Sequence, residues 1–202
     1  MRFAFTRVLA LVVAASVAGS SAAASADAGA PPSADSPAHF RWAVPDGWRT
    51  ETIPFPLDFA PALKHRGFEE LRFSPGMFKP GAPDFWSYAF VWWLEDERAP
   101  NNLASDLTTY FRGLCREVAK GKFDLDLSRI KTRLDGAAGR IDSYDCFKTG
   151  KPIVLELHVI SKRCGNDTAL AIALSPADRS APIWTSLNDL TSKVTCPASP
   201  AR

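Results

Sequence analysis

The chain is 202 residues long and 46% hydrophobic, with 24 Lys and Arg against 22 Asp and Glu. Arg2 and Arg7 both fall in residues 1–26, which hold no acid, so the remainder carries 22 of each sign and is neutral. A neutral body lacks the basic field expected of a nucleic-acid or anionic-membrane binder, and about 160 folded residues fit one domain with a sizeable core.

Arg2 and Arg7 flank the start of an apolar run, Val8 to Val13, that continues through small residues to Ala24-Ser25-Ala26. This is the order of a secretory signal peptide, cleaved near Ala26. The run is shorter than the roughly 20 apolar residues a bilayer span requires. Residues 1–26 are therefore expected to be an export signal, and the mature protein to be periplasmic or secreted with no membrane span. Residues 27–38 contain no large apolar side chain and read as a flexible tether. Residues 39–197 then form a single domain, and 198–202 a disordered tail.

Phe40 to Val44 alternates as a short strand ending in the turn Pro45-Asp46-Gly47-Trp48. Pro54, Pro56 and Pro61 break up the next segment. Phe68 to Ser74 alternates again, with Leu71 and Phe73 on one face and Glu70 and Arg72 on the other. A loop with three prolines and two glycines, 74–84, leads into Phe85 to Leu94. Period two there puts Trp86, Tyr88, Phe90 and Trp92 on one face and Ser87, Ala89, Val91 and Trp93 on the other, so both faces are expected to be covered.

From Asn101 the period becomes helical, through Leu103, Leu107, Phe111, Leu114 and Val118, with Asn102 as cap and Gly121 as stop. Strands are expected at 129–134, 139–147, 152–163 and 168–174, joined by turns at Asp135-Gly136, Thr149-Gly150 and Gly165-Asn166-Asp167. A second helix opens at Pro182 and runs through Ile183, Leu187, Leu190 and Val194. The chain thus reads as α+β, mostly antiparallel sheet with two main helices.

The four cysteines, Cys115, Cys146, Cys164 and Cys196, form no C-x-x-C pair, which argues against zinc and thioredoxin chemistry. In an exported chain their even number implies two disulfides. If 152–163 runs up, 168–174 runs down and the last helix climbs back to bring Cys196 level with Cys164. The first helix descends, leaving Cys115 near Cys146 at the lower end of 139–147. The expected pairs are Cys115–Cys146 and Cys164–Cys196, each worth roughly 3 kcal/mol.

Phe40-Arg41-Trp42-Ala43-Val44-Pro45-Asp46-Gly47-Trp48 resembles the opening strand, Pro-x-Gly-Trp turn and return strand of the PsbP-like superfamily. The mid-chain helix, the strand meander and a closing helix beginning Pro182-Ile183-Trp184 agree with it. The resemblance implies an α/β/α sandwich over about residues 39–196 and an accessory or binding role without catalytic residues. It transfers no site residue.

The common hydrolase, metalloprotease and nucleotide motifs are missing from the sequence, and no cofactor is expected. The best catalytic candidates are Glu156 and His158, two residues apart on one strand face. A hairpin pairing 146 with 154 would set Tyr144 opposite Glu156 and Asp142 opposite His158, giving an exported hydrolase-like or metal-assisted enzyme. His65 with Glu69 and Glu70 is a second polar group, read as solvated. Against these stands an aromatic density of 14 in the 54 residues from Phe40 to Trp93. Met77 and Phe78 in the 74–85 loop, with Trp48 and Trp93, are expected to line a groove for a protein, peptide or glycan ligand. The leading expectation is a non-catalytic binding or accessory protein. The alternatives are the enzyme and an envelope-maintenance protein making protein contacts only. Asn166-Asp167-Thr168 is a glycosylation acceptor if the source is eukaryotic.

Overall fold

The computed structural model describes residues 41–196. The expected signal peptide, tether and tail, together with His39 and Phe40, lie outside the described residues. Arg49–Pro54 (β1), Gly67–Phe73 (β2) and Tyr88–Leu94 (β3) form a first antiparallel meander. The helix Leu103–Ala119 (α1) and one turn of 3-10 helix, Leu127–Arg129, then lead to the far edge of the sheet. There Lys131–Asp135 (β4), Ala138–Tyr144 (β5), Pro152–Cys164 (β6) and Asp167–Ser175 (β7) form a second meander that runs back to pair β7 with β3. The result is one seven-stranded antiparallel sheet in the order β1-β2-β3-β7-β6-β5-β4. The helix Pro182–Ser192 (α2) closes the fold.

The two helices pack on opposite faces. Leu71, Tyr88, Phe90, Trp92, Leu155, Leu157, Leu170 and Ile172 share a core with Leu107, Tyr110, Phe111 and Cys115 of α1. Phe68, Val91, Trp93, Ala169, Ala171 and Ala173 share the other with Trp184, Leu187 and Leu190 of α2. Alanines on β7 let α2 sit close, and both faces of β3 are buried as its two apolar rows require. Asn102 caps α1 by accepting from the Ser105 N–H at 3.1 Å, and Pro182 occupies the first turn of α2.

Several elements differ from expectation. Residues 41–44 form no strand. The Pro45–Trp48 turn is present, closed by Trp48 N–H donating to the Pro45 carbonyl at 3.0 Å, and the strand it introduces is β1. Residues 85–87 turn rather than extend, so β3 begins at Tyr88. Glu70 and Arg72 are both buried, because the 41–44 segment lies over them. The Arg72 guanidinium donates to Glu70 (2.6 Å), to the Leu71 and Trp42 carbonyls (2.8 Å each) and to the Ala43 carbonyl (3.0 Å), and it lies 4.7 Å from the Trp42 ring centroid. Thr52 donates to the other oxygen of Glu70. Trp42 in turn donates its indole N–H to the Leu190 carbonyl at 2.8 Å, tying this segment to α2.

One disulfide is present, Cys164–Cys196. The second expected bond is not: Cys115 and Cys146 are buried free thiols. They are neighbours, as the strand order required, but Cys115 contacts the Ser143 hydroxyl (3.9 Å) and the Tyr144 carbonyl (3.7 Å) and hydrogen-bonds to Cys146. That hydrogen bond and burial push the Cys146 thiol up and keep it protonated.

Two outcomes follow. Arg72→Met should destabilise the domain by about 3–5 kcal/mol in chemical denaturation, since it strands Glu70 without a counter-charge. The double variant Glu70→Leu/Arg72→Met should cost clearly less. Maleimide should label no thiol in the native protein and two after denaturation without reductant; a count of zero would mean that the Cys115–Cys146 bridge closes.

Candidate functional site

Of the four polar residues expected to converge, Asp142, Glu156 and His158 share one sheet face, while the buried Tyr144 joins the α1-side core, and the register offsets β5 from the expected pairing with β6. Tyr144 pairs with Pro152, Asp142 with Val154, Arg140 with Glu156 and Ala138 with His158. The cause is the hairpin connection. Asp145 is buried and organises a wide turn. Its carboxylate accepts from the Lys148 N–H (3.1 Å), the Thr149 N–H (2.9 Å), the Thr149 hydroxyl (2.7 Å) and the Trp86 indole (2.8 Å). A tight Thr149-Gly150 turn would have set the other pairing.

The consequences are chemical. Asp142 accepts from Arg133 at 2.5 Å and from Arg140 at 2.7 Å, and the Arg140 hydrogen bond, aided by Arg133, holds its carboxyl below the usual range. Glu156 faces Arg140 across the strands and has Arg179 at 3.8 Å. His158 lies between Ala138 and Ala173, with no acidic partner, and its Nδ1 has no hydrogen bond. Asp142 is therefore opposite Val154 and not opposite His158 as the expected hairpin would place it, and among the described residues no cluster of His, Cys, Asp or Glu could hold a metal.

The aromatic groove is likewise not assembled. Met77 is 1% exposed and joins the α1-side core, whereas Trp93 is 6% exposed and joins the α2-side core. Phe78 is half-buried against Phe73, Phe147 and Arg49 on the first side, and Trp48 is half-buried on the second. The 74–85 loop folds inward because its own polar groups close it. Asp84 accepts from the Gly76 N–H at 2.7 Å, and the Ser74 hydroxyl donates to the Asp84 carbonyl at 2.8 Å.

The polar group around His65 is also reassigned. His65 Nδ1 donates to Glu97 at 2.8 Å, and its Nε2 lies 3.6 Å from Asp106. Glu70 is on the opposite sheet face from Glu69, and Glu69 is fully buried behind Trp92, whose indole donates to it at 3.1 Å. Tyr110 also hydrogen-bonds to Glu69, while its Oε2 has no partner. Burial pushes the Glu69 carboxyl up to about 8 against the pull of those two hydrogen bonds, with a small further push from Glu51. With no surface to reach a substrate, this acid is a constituent of the core.

What the structure leaves open is the α2-side face of β4, β5 and β6. The helix covers β3, β7 and the near side of β6, and beyond it the strands present Lys131, Arg133, Arg140, Asp142, Val154, Glu156 and His158. Beside β4 this face runs into a groove of about 540 Å³ lined by Arg129, Lys131, Arg133, Asp142, Tyr144 and Val154, among others. The arginines and lysine were missed in the sequence, although Lys131 and Arg133 alternate visibly with Thr132 and Leu134. The reach of α2, which decides whether that row is solvated, is not a local property. No family model, curated protein or solved structure matches the chain.

Glu69 supplies a pH test. The folded state holds this proton until about pH 8, whereas the unfolded chain releases it near its ordinary 4.5. Stability should therefore fall as pH rises between those values, each pKa unit being worth about 1.4 kcal/mol. Melting temperatures at pH 5 and pH 8.5 should diverge in the native protein, and Glu69→Gln should flatten that slope.

Proposed function

We propose that the chain is an exported, non-catalytic binding or accessory module built on a PsbP-like α/β/α layout, acting through the uncovered face of β4–β6. The observation that carries the reading is that face: half of a seven-stranded sheet stands free of α2 and presents a groove, while the groups suited to acid–base chemistry are engaged or dispersed. Asp142 is held by two arginines, and His158 lies between alanines. The Cys164–Cys196 bond supports an oxidising compartment. The Pro45–Trp48 turn and the helices on opposite faces support the PsbP-like resemblance. No helix among the described residues is long and apolar enough to cross a membrane. Binding is assigned to the β4–β6 face rather than to the 74–85 loop because Met77 and Trp93 have almost no surface.

The test is site-specific photocrosslinking. A benzophenone amino acid replacing Val154 should form discrete adducts in envelope or secreted-fraction extract, and the same group replacing the outward-facing Thr185 of α2 should form none. Equal patterns at the two positions, or none at either, would remove the face as a binding surface.

A further inference from the structure

We propose that the groove beside β4 binds an acidic, extended peptide segment of a partner protein; the proposal rests on the binding reading above and names its ligand class. The groove lining carries three cations, Arg129, Lys131 and Arg133, and one carboxylate, Asp142. That carboxylate is already shared between Arg133 and a second guanidinium, Arg140. Lys131 makes no ion pair among the described residues, and Arg129 has none within 4.0 Å, its nearby carboxylate being Asp126, which is engaged by Ser128. Residues 41–196 carry 21 basic and 20 acidic side chains, so this is a local positive excess on a concave surface, and the charge it complements is negative.

The rest of the lining separates a peptide from other polyanions. Pro152 and Val154 form an aliphatic floor, and Val154, 42% exposed, is one of two large apolar side chains on the described surface. Such a floor accepts an aliphatic side chain. A sugar ring would need an aromatic face, and Tyr144, the one aromatic in the lining, is only 8% exposed. The ligand lies over the sheet face and does not add a strand. The outer edge of β4 is occupied in its middle, where the Thr132 N–H donates to the Thr108 hydroxyl at 3.0 Å. Beside it, Arg112 of α1 donates to the Ile130 and Ser128 carbonyls. Recognition therefore comes from side chains, with acidic residues on the cations and an intervening apolar residue on Val154. Exposed ion pairs are individually weak and screened by salt, so several must form together and the affinity must fall with ionic strength.

The probe is a fluorescein-labelled hexapeptide of alternating Glu and Leu, read by fluorescence anisotropy, with an alternating Gln and Leu peptide as its neutral counterpart. The acidic peptide should saturate the protein and bind at least tenfold more tightly than the neutral one. Raising the salt from about 50 to 300 mM should weaken it severalfold. Lys131→Glu/Arg133→Glu should weaken it at least tenfold with an unchanged thermal melt, and Lys64→Glu, on the other side of the sheet, should not change it. Equal binding of the two peptides, insensitivity to Lys131→Glu/Arg133→Glu, or displacement by polygalacturonate at equal charge concentration would overturn the peptide assignment. If the acidic peptide fails while a crosslinker at position 154 still captures a partner, the ligand class is wrong and the binding reading stands. If both fail, both fall.

Discussion

A seven-stranded sheet at about 4.8 Å per strand is about 29 Å across, and a helix is about 10 Å wide; with one helix per face, most of the sheet must be covered by something else or left bare. Every other feature of the domain answers to that constraint. On the α1 side the cover is completed by irregular chain. Leu57, Phe59 and Leu63 from the proline-broken segment, Met77 and Trp86 from the 74–86 loop, and Ile130 after the 3-10 turn all join that core. The loops rich in proline and aromatics are thus walls of the core, which is why their aromatic residues are unavailable to a ligand. On the α2 side, among the described residues, the supplements are the 41–48 segment, held over β2 by Arg72 and contributing Trp42 and Trp48, and the stretch before α2, from which Arg179 reaches the Leu157 carbonyl on β6. Among the described residues nothing comparable reaches β4 and β5.

This explains what was legible in the sequence and what was not. Both helices, the Asn102 cap of α1, β2, the strands of the second meander and the two apolar rows of β3 follow from local sequence, and each is found close to its expected place. The neighbourhood of Cys115 and Cys146 and the Cys164–Cys196 bond follow from strand order alone. The failures are all non-local. Glu70 and Arg72 read as an outer face because nothing in their own alternation tells of a distant segment folding over them. Asp142 was set opposite His158 by a hairpin pairing 146 with 154, whereas the connection is set by Asp145, whose bond to Trp86 joins residues 59 apart in the chain. The density of aromatics was real, yet period two on β3 divides Trp92 from Trp93, and a groove drawing on both sides of one sheet cannot exist.

Two adjacent glutamates on β2 show how the same burial is resolved in two ways. Glu70, on the α2 side, is met by the Arg72 guanidinium and the Thr52 hydroxyl. Glu69, on the α1 side, has only the Trp92 indole and the Tyr110 hydroxyl, which do not outweigh desolvation, so it is kept by retaining its proton. The first solution depends on a chain segment being in place, and the second depends on pH. Neither offers the group to solvent. Among the described residues, β4 and β5 carry a polar row that no segment arrives to bury, and in the groove lining there Asp142 is outnumbered by Arg129, Lys131 and Arg133. A buried carboxylate must be neutralised from within the molecule; an unneutralised cation on an open face takes its partner from outside. Among the described residues, the incomplete cover of the sheet is therefore the physical reason that charged side chains of β4 and β5 stay at the surface while those of β2 are buried.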